Sequence, residues 1–197
     1  MMKRCILIIF LLFAPLGLLS QEWGSVKTQL RLYSMIEDNQ GALKDYEGIA
    51  AGGKILYQTP SLGNLKGTIG VYGSRFMQDN VASYRVEPLA ANKGSRYVAG
   101  LVDTTDVDNE SVAGVGEAYL RYSYADVYID IGRMKLDTPF INPQDGRMIP
   151  TFEEGIWSKM KLNPQWSVQG GFIDRFWNRN TPRWKSVEES LGLIKGV

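Results

Sequence analysis

The chain has 197 residues, 22 basic and 21 acidic side chains, no His and a single Cys. One domain fits that length. The balanced charge gives no argument for nucleic acid, and the missing His removes the commonest general base and metal ligand. With 21 Gly and 10 Tyr in a chain of ordinary apolar content, the composition suits an all-β protein with many turns.

The first twenty residues form a targeting segment. Lys3 and Arg4 give a positive start, Ile6 to Leu19 an apolar run, and Ser20 a small residue at the cleavage point. This is the layout of a secretory signal peptide, too short to anchor in a membrane. A buried amino-terminal helix is the alternative, but the segment has no polar face. Cys5 lies inside it, so residues 21–197 hold no thiol, disulfide or Cys metal site. Removing Lys3 and Arg4 from the 22 basic residues leaves 20 against 21 acidic ones. No later run is long and apolar enough for a transmembrane helix, which needs about 20 residues.

Val26 to Ile36 alternates strictly, with Val26, Thr28, Leu30, Leu32 and Ile36 on one face and Lys27, Gln29, Arg31 and Tyr33 on the other. Such alternation predicts a strand with one apolar face. Gly48 to Gln58 is a second strand, placing Ile49, Ala51, Ile55 and Tyr57 opposite Lys54 and Gln58. Turn formers at 59–64 lead to a third, Leu65 to Arg75, with Ile69 and Val71 opposite Lys66, Thr68 and Tyr72. Phe76 to Val112 is a long polar connection of a kind uncommon in compact soluble domains.

Ala113 to Ala125 and Val127 to Leu136 form the fourth and fifth strands around a minimal turn at Ala125-Asp126. Ala118, Leu120, Tyr122 and Tyr124 oppose Glu117, Tyr119, Arg121 and Ser123. The pattern slips at Arg133, which continued alternation would aim at the apolar side; a bulge or the end of the span resolves this. After the connection 137–155, Ile156 to Asn163 and Trp166 to Phe176 are the sixth and seventh strands. Short helices are compatible with Asp38 to Tyr46 and Glu188 to Lys195.

The connections alternate long and short, and Tyr57, Tyr122, Tyr124 and Trp166 gather beside the short ones. Long loops on one side, brief turns on the other and an aromatic girdle are the features of an outer-membrane β-barrel. The expected fold is therefore all-β: an antiparallel up-and-down transmembrane barrel, here incomplete at about seven strands. A secreted β-sandwich, such as a carbohydrate-binding one, also alternates. It has less reason to place aromatics at each turn.

The polar face carries Lys27, Arg31, Lys54, Lys66, Arg121, Lys159 and Lys161 against Glu117 and Asp130. Acidic residues concentrate instead in the long loops. In a barrel this face lines water, and a row of one sign attracts the opposite sign. The expected partners are small anionic, carboxylate-bearing solutes and the lipid around the wall. Asp106-Val-Asp108-Asn-Glu110 superficially resembles a calcium loop but lacks the Gly and terminal Glu that loop needs. No nucleophile–base pair, phosphate-binding Gly loop or metal cluster stands out, so neither an enzyme nor a cofactor is expected.

Gly132-Arg133, Thr138-Pro139, Ile141-Asn142-Pro143, Asp145-Gly-Arg147-Met-Ile-Pro150 and Phe152-Glu-Glu-Gly155 resemble the third-loop region of the OprD-type substrate-specific outer-membrane porins. A weaker likeness extends over about 26–177. The resemblance implies a barrel of many strands, a third long loop folded inward, and an arginine-rich track for carboxylate solutes. Residues 137–155 are the third long connection here. On that likeness Arg147 is the constriction candidate with Asp145 as its partner, and Arg121, Arg133 and Lys159 belong to the adjoining track. A local Arg147–Asp145 bridge is the plainer alternative.

Family chains end in a strand with a terminal aromatic that serves assembly by the barrel-assembly machinery. This chain ends Leu193-Ile-Lys-Gly-Val197. An open sheet leaves backbone groups unpaired in lipid, so the expectation is the amino-terminal part of a longer porin, residues 21–197. The alternative is an eighth strand from Lys185 to Val197, which alternates poorly. A structural or adhesive outer-membrane barrel is the second functional reading.

Overall fold

The computed structural model describes residues 9–10, 23–40, 45–79, 96–104 and 110–191. Apart from Ile9 and Phe10, the leader segment lies outside these residues, as do residues 105–109 of the acidic loop. Among the described residues the strands are β1 (Ile9–Phe10), β2 (Ser25–Glu37), β3 (Tyr46–Gln58), β4 (Leu65–Asp79), β5 (Ser111–Tyr124), β6 (Val127–Met134), β7 (Phe152–Lys161), β8 (Ser167–Asn178) and β9 (Thr181–Ser186). Two one-turn helices accompany them, α1 (Arg96–Ala99) and α2 (Val187–Ser190). The sheet order follows the chain from β1 to β9, and each neighbouring pair is antiparallel. It is an up-and-down sheet that does not close. No described helix is long and apolar enough to cross a membrane, which says nothing about crossing by strands.

β2, β3, β4, β5 and β8 are longer than the roughly 10 residues usual as an upper length in soluble sheets. β4 has 15 residues, whereas a tilted strand needs about 9–11 to cross hydrocarbon. Alternation sends Leu30, Leu32, Ile55, Val71, Leu120, Ile131, Ile156 and Phe172 to one face, where all are exposed. The opposite face holds Tyr72, Ser74, Glu117, Asp130 and other polar or aromatic groups, and these are buried. The usual order of a water-soluble sheet is inverted. Tyr122, Tyr124 and Trp166, at the short-turn end, are also exposed.

The sheet curls around its polar face. Phe152 on β7 meets Tyr72 on β4 edge-on, with ring centroids 4.6 Å apart. Trp177 on β8 reaches β5, where a Cβ at Gly114 would overlap its indole. Bulges help this curvature: the register shifts between Gly70 and Val71 against β5 and between Glu154 and Gly155 against β8. An extra residue increases local twist and bend.

Several boundaries differ from the sequence reading. Among the described residues there are eight strands of six or more residues plus the two-residue β1, not seven. β9 contains Pro182 and has only six residues, too few for its short alternation to declare a strand; pairing of Trp184 with Trp177 holds it. The eighth strand thus begins before the Lys185–Val197 stretch and overlaps it at Lys185 and Ser186. Only two residues, 179–180, join β8 to β9 at the end where the long loops emerge, so the long–short alternation stops there. α2 takes up the start of the expected carboxy-terminal helix, with Ser186 and Glu189 forming a capping box. β7 starts at Phe152, which shortens the third long connection to 135–151.

The β5–β6 turn offers a local test. Ala125 has φ 48, a left-handed conformation that costs an L-residue roughly 1–2 kcal/mol. Glycine is favoured where the first residue of a two-residue hairpin has positive φ. Ala125→Gly is expected to raise stability by up to about 1 kcal/mol, read as a higher urea midpoint in lipid vesicles.

Candidate functional site: the concave face and its inward loops

Two separate segments pack against the concave face. Met148 and Ile149 of the third long connection and Phe152 at the start of β7 join Ala50, Tyr72 and Trp177 in one buried cluster, and Leu101 of the second connection completes it. Around α1, Val98 and Ala99 pack with Tyr46, Met35 and Phe76. Ser74 Oγ donates to the Leu101 carbonyl at 2.9 Å, and Thr104 donates to the Asn180 carbonyl through its N–H and its hydroxyl. Sequence reading left 76–112 as an outer polar loop. The only signal for this inward piece was its apolar cluster Tyr97-Val98-Ala99 with Leu101-Val102 inside polar surroundings.

Asp145 fastens the 135–151 loop to the wall. Its carboxylate pairs with Arg31 on β2 at 2.6 Å and accepts from Lys135 Nζ at 3.0 Å. Arg31 also donates to the Arg147 carbonyl at 2.5 Å and to Gln29 Oε1 at 2.9 Å. Burial alone would push the Asp145 carboxyl up, but the hydrogen bonds from Arg31 and Lys135 outweigh it and hold it below its ordinary 3.8. Asp145 and Arg147 do not bridge to one another: two residues apart on an irregular loop, they take different partners. Arg147 turns to α1, reaching the Tyr97 carbonyl at 3.4 Å with its guanidinium 5.4 Å from the Tyr97 ring centroid. It ties the two inward segments together.

The basic residues named from sequence separate into groups. Lys54 lies near Arg31, Lys135 and Asp145, with its ammonium 5.7 Å from the Tyr72 ring centroid. Tyr72 in turn donates to Glu117. Lys66, Arg121 and Asp130 stand side by side across β4, β5 and β6. Arg121 holds Asp130 through two bonds of 2.6 and 2.7 Å and lies over the Tyr128 ring at 4.3 Å. A cavity of about 220 Å³ opens there, lined by Arg121, Asp130, Lys135, Trp157 and Lys159 among others. Lys27 and Lys161 are exposed towards the short-turn end.

Arg133 has left the apolar side. Gly132, at φ +125, breaks the alternation before it. Arg133 pairs with Glu154 at 3.1 Å and lies 4.8 Å from the Trp184 ring. Trp184 contacts Trp177, which contacts Phe152 in the interior. The face is thus a set of compensated pairs, Arg31–Asp145–Lys135, Arg121–Asp130 and Arg133–Glu154, with Lys54, Lys66 and Lys159 beside them. Sequence reading missed Lys135 and Glu154 as partners. It also missed Glu153, a fully buried carboxylate that accepts from the Leu136 N–H at 3.0 Å and joins the two roots of the loop. Among the described residues no cluster of three or more metal-ligating side chains occurs.

No protein-family model matches the sequence, and no curated protein matches it either. Solved structures do. Acinetobacter baumannii OccAB1 superposes with a TM-score of 0.64 at 16% identity, over 82% of this chain and 36% of that one. A BenF-like porin from Pseudomonas fluorescens Pf-5 gives 0.62 at 12% identity, over 81% and 39%. Pseudomonas aeruginosa OpdK with vanillate gives 0.58 at 18%, over 81% and 37%. The chain thus spans less than half the length of these proteins. At such identities the likeness is one of fold: the chain has the antiparallel barrel-wall fold of the OprD/Occ-type porins.

Proposed function

We propose that this chain forms part of the wall of a bacterial outer-membrane porin that passes small solutes by diffusion. The reading rests on the inverted sheet, with exposed apolar side chains on the convex face and a polar concave face receiving two inward segments. That distribution is stable when hydrocarbon lies outside and water inside. Segment 1–20 serves as the export signal. Loop 137–155 narrows the lumen, with Asp145 fastening it and Arg147 bracing it. Solute partners carry carboxylates: vanillate, the ligand named with OpdK, is one, and Lys27, Arg31, Lys54, Lys66, Arg121, Arg133, Lys159 and Lys161 supply the cations along the lumen. The surrounding partners are outer-membrane lipid and the barrel-assembly machinery.

The test is conductance and reversal potential in planar bilayers containing the protein that carries this chain. Stepwise channels with greater permeability to benzoate than to a cation of similar size are expected. Selectivity for the cation would remove the carboxylate preference. A membrane-inserted protein without conductance would return the reading to a structural barrel.

A further inference from the structure

The convex face carries a groove of about 610 Å³ across β2, β3, β4 and β5. The alternation assigns Leu30, Ala51, Gly53, Ile55, Val71, Gly73, Arg75 and Ala113 to that face, and all of them line it. Its floor is low where Ala51, Gly53, Gly73 and Ala113 stand, and Leu30, Ile55 and Val71 form higher walls. Substituting Gly53 is barred by backbone, since a Cβ there would overlap the Gln29 carbonyl, and at Gly73 it would be crowded, lying 3.2 Å from the Val112 carbonyl.

Arg75 belongs to the same groove and is the one charged residue among the convex-face positions that line it. It is exposed, and its side chain makes no hydrogen bond or ion pair among the described residues. Its cross-strand partners are Ala51 and Ser111, which offer no carboxylate. It sits four residues before the end of β4, on the side where the long connections leave the sheet. In a barrel that is the outer-leaflet end. A guanidinium on the lipid face is costly at depth and finds relief by reaching the headgroup level. The natural counter-ion there is a phosphate, which Arg binds through two parallel N–H bonds.

We infer that this groove is a binding site for a phosphate-bearing acyl lipid of the outer leaflet, its chain lying over Gly53, Gly73 and Ala113 and its phosphate held by Arg75. The inference rests on the membrane reading above, because only there does the convex face meet lipid. The apolar groove and the unpaired cation are both needed: one selects an acyl chain, the other a charged headgroup.

The test uses the protein carrying this chain, extracted in a neutral detergent, with bound lipid counted by native mass spectrometry. Dioleoyl phosphatidic acid is expected to be retained one per chain. Dioleoylglycerol, which lacks the phosphate, should bind roughly tenfold more weakly, and inorganic phosphate alone should not be retained. Arg75→Gln should bring phosphatidic acid down to the dioleoylglycerol level, whereas Arg75→Lys should keep most of it. Ala113→Phe, which fills the groove, should weaken both lipids. Equal retention of the two lipids, or unchanged retention by Arg75→Gln in protein that still inserts into vesicles, overturns the inference and leaves the porin reading standing. Failure to insert into vesicles at all overturns both.

Discussion

Replacing Phe152 by alanine is expected to destabilise the folded protein by about 3–5 kcal/mol. The ring is fully buried where β7 begins. It packs edge-on against Tyr72, lies 5.9 Å from Trp177, and covers Gly116, where a Cβ would overlap it. Truncation loses the transfer energy of the ring and leaves a cavity. The wall has limited means to refill it, because Gly114 and Gly116 supply no side chains. The measurement is urea unfolding of the protein in lipid vesicles, followed by tryptophan fluorescence, with Trp177 as a neighbouring reporter. Phe140→Ala is the control: Phe140 is 98% exposed, so its truncation should change stability by under about 0.5 kcal/mol. Equal effects at the two positions would mean that the loop root does not pack into the interior.

The second large effect is expected at Asp145. Asp145→Asn leaves Arg31 and Lys135 facing one another without their shared carboxylate. Removing one partner of a fully buried pair costs roughly 3–5 kcal/mol. The side chains of Arg31, Asp145 and Lys135 retain 14%, 25% and 25% of their exposure, so water moderates this to about 1–3 kcal/mol. The loss falls on the attachment of the 135–151 loop rather than on the sheet. Amide hydrogen exchange in that loop should accelerate while β3 and β4 stay protected. In a conducting protein the single-channel conductance should become larger or noisier.

Acid should imitate the substitution. The folded Asp145 carboxyl is held below its ordinary value, so the folded state binds this proton less readily than the unfolded chain does. The stabilisation is therefore complete above the unfolded pKa of about 3.9 and is lost as pH falls through the lower folded value. Loop exchange, taken relative to the intrinsic amide rate at each pH, should be unaffected by this group between about pH 5 and 7 and should rise below about pH 4. Asp145→Asn should lack that acid-dependent rise. A rise of equal size in the variant would assign it to another carboxyl.

Period-two alternation made the wall legible. Leu30, Ile55, Val71, Leu120, Ile131 and Phe172 declare one face and Arg31, Lys54, Tyr72 and Arg121 the other, because a strand offers only two directions and a one-residue slip would exchange them. The short turns and their aromatics were equally local. β9 was not legible, because Thr181-Pro-Arg-Trp-Lys-Ser186 is held by its neighbour's backbone and by Trp177. Arg133 was readable only as a slip in the pattern; Gly132 and Trp184 explain where it went.

The inward loop divides the two sources of information. Its Pro, Gly and Asp spacing marked it as unlike the other connections, and the resemblance to the OprD-type third loop named Asp145 and Arg147. Their partners came from across the fold. Asp145 lies beside Arg31 on β2 because the loop crosses a curled sheet, and Arg147 lies beside Tyr97 because a second segment fills the same side. Sequence by itself determined seven of the strands, their two faces and which connection holds the distinctive loop, since those depend on neighbours one to four residues away. Tertiary structure alone decided which cation each carboxylate neutralises and that two segments enter the concavity. Those contacts join residues up to 116 positions apart, and their energies depend on distance and burial that no local pattern contains.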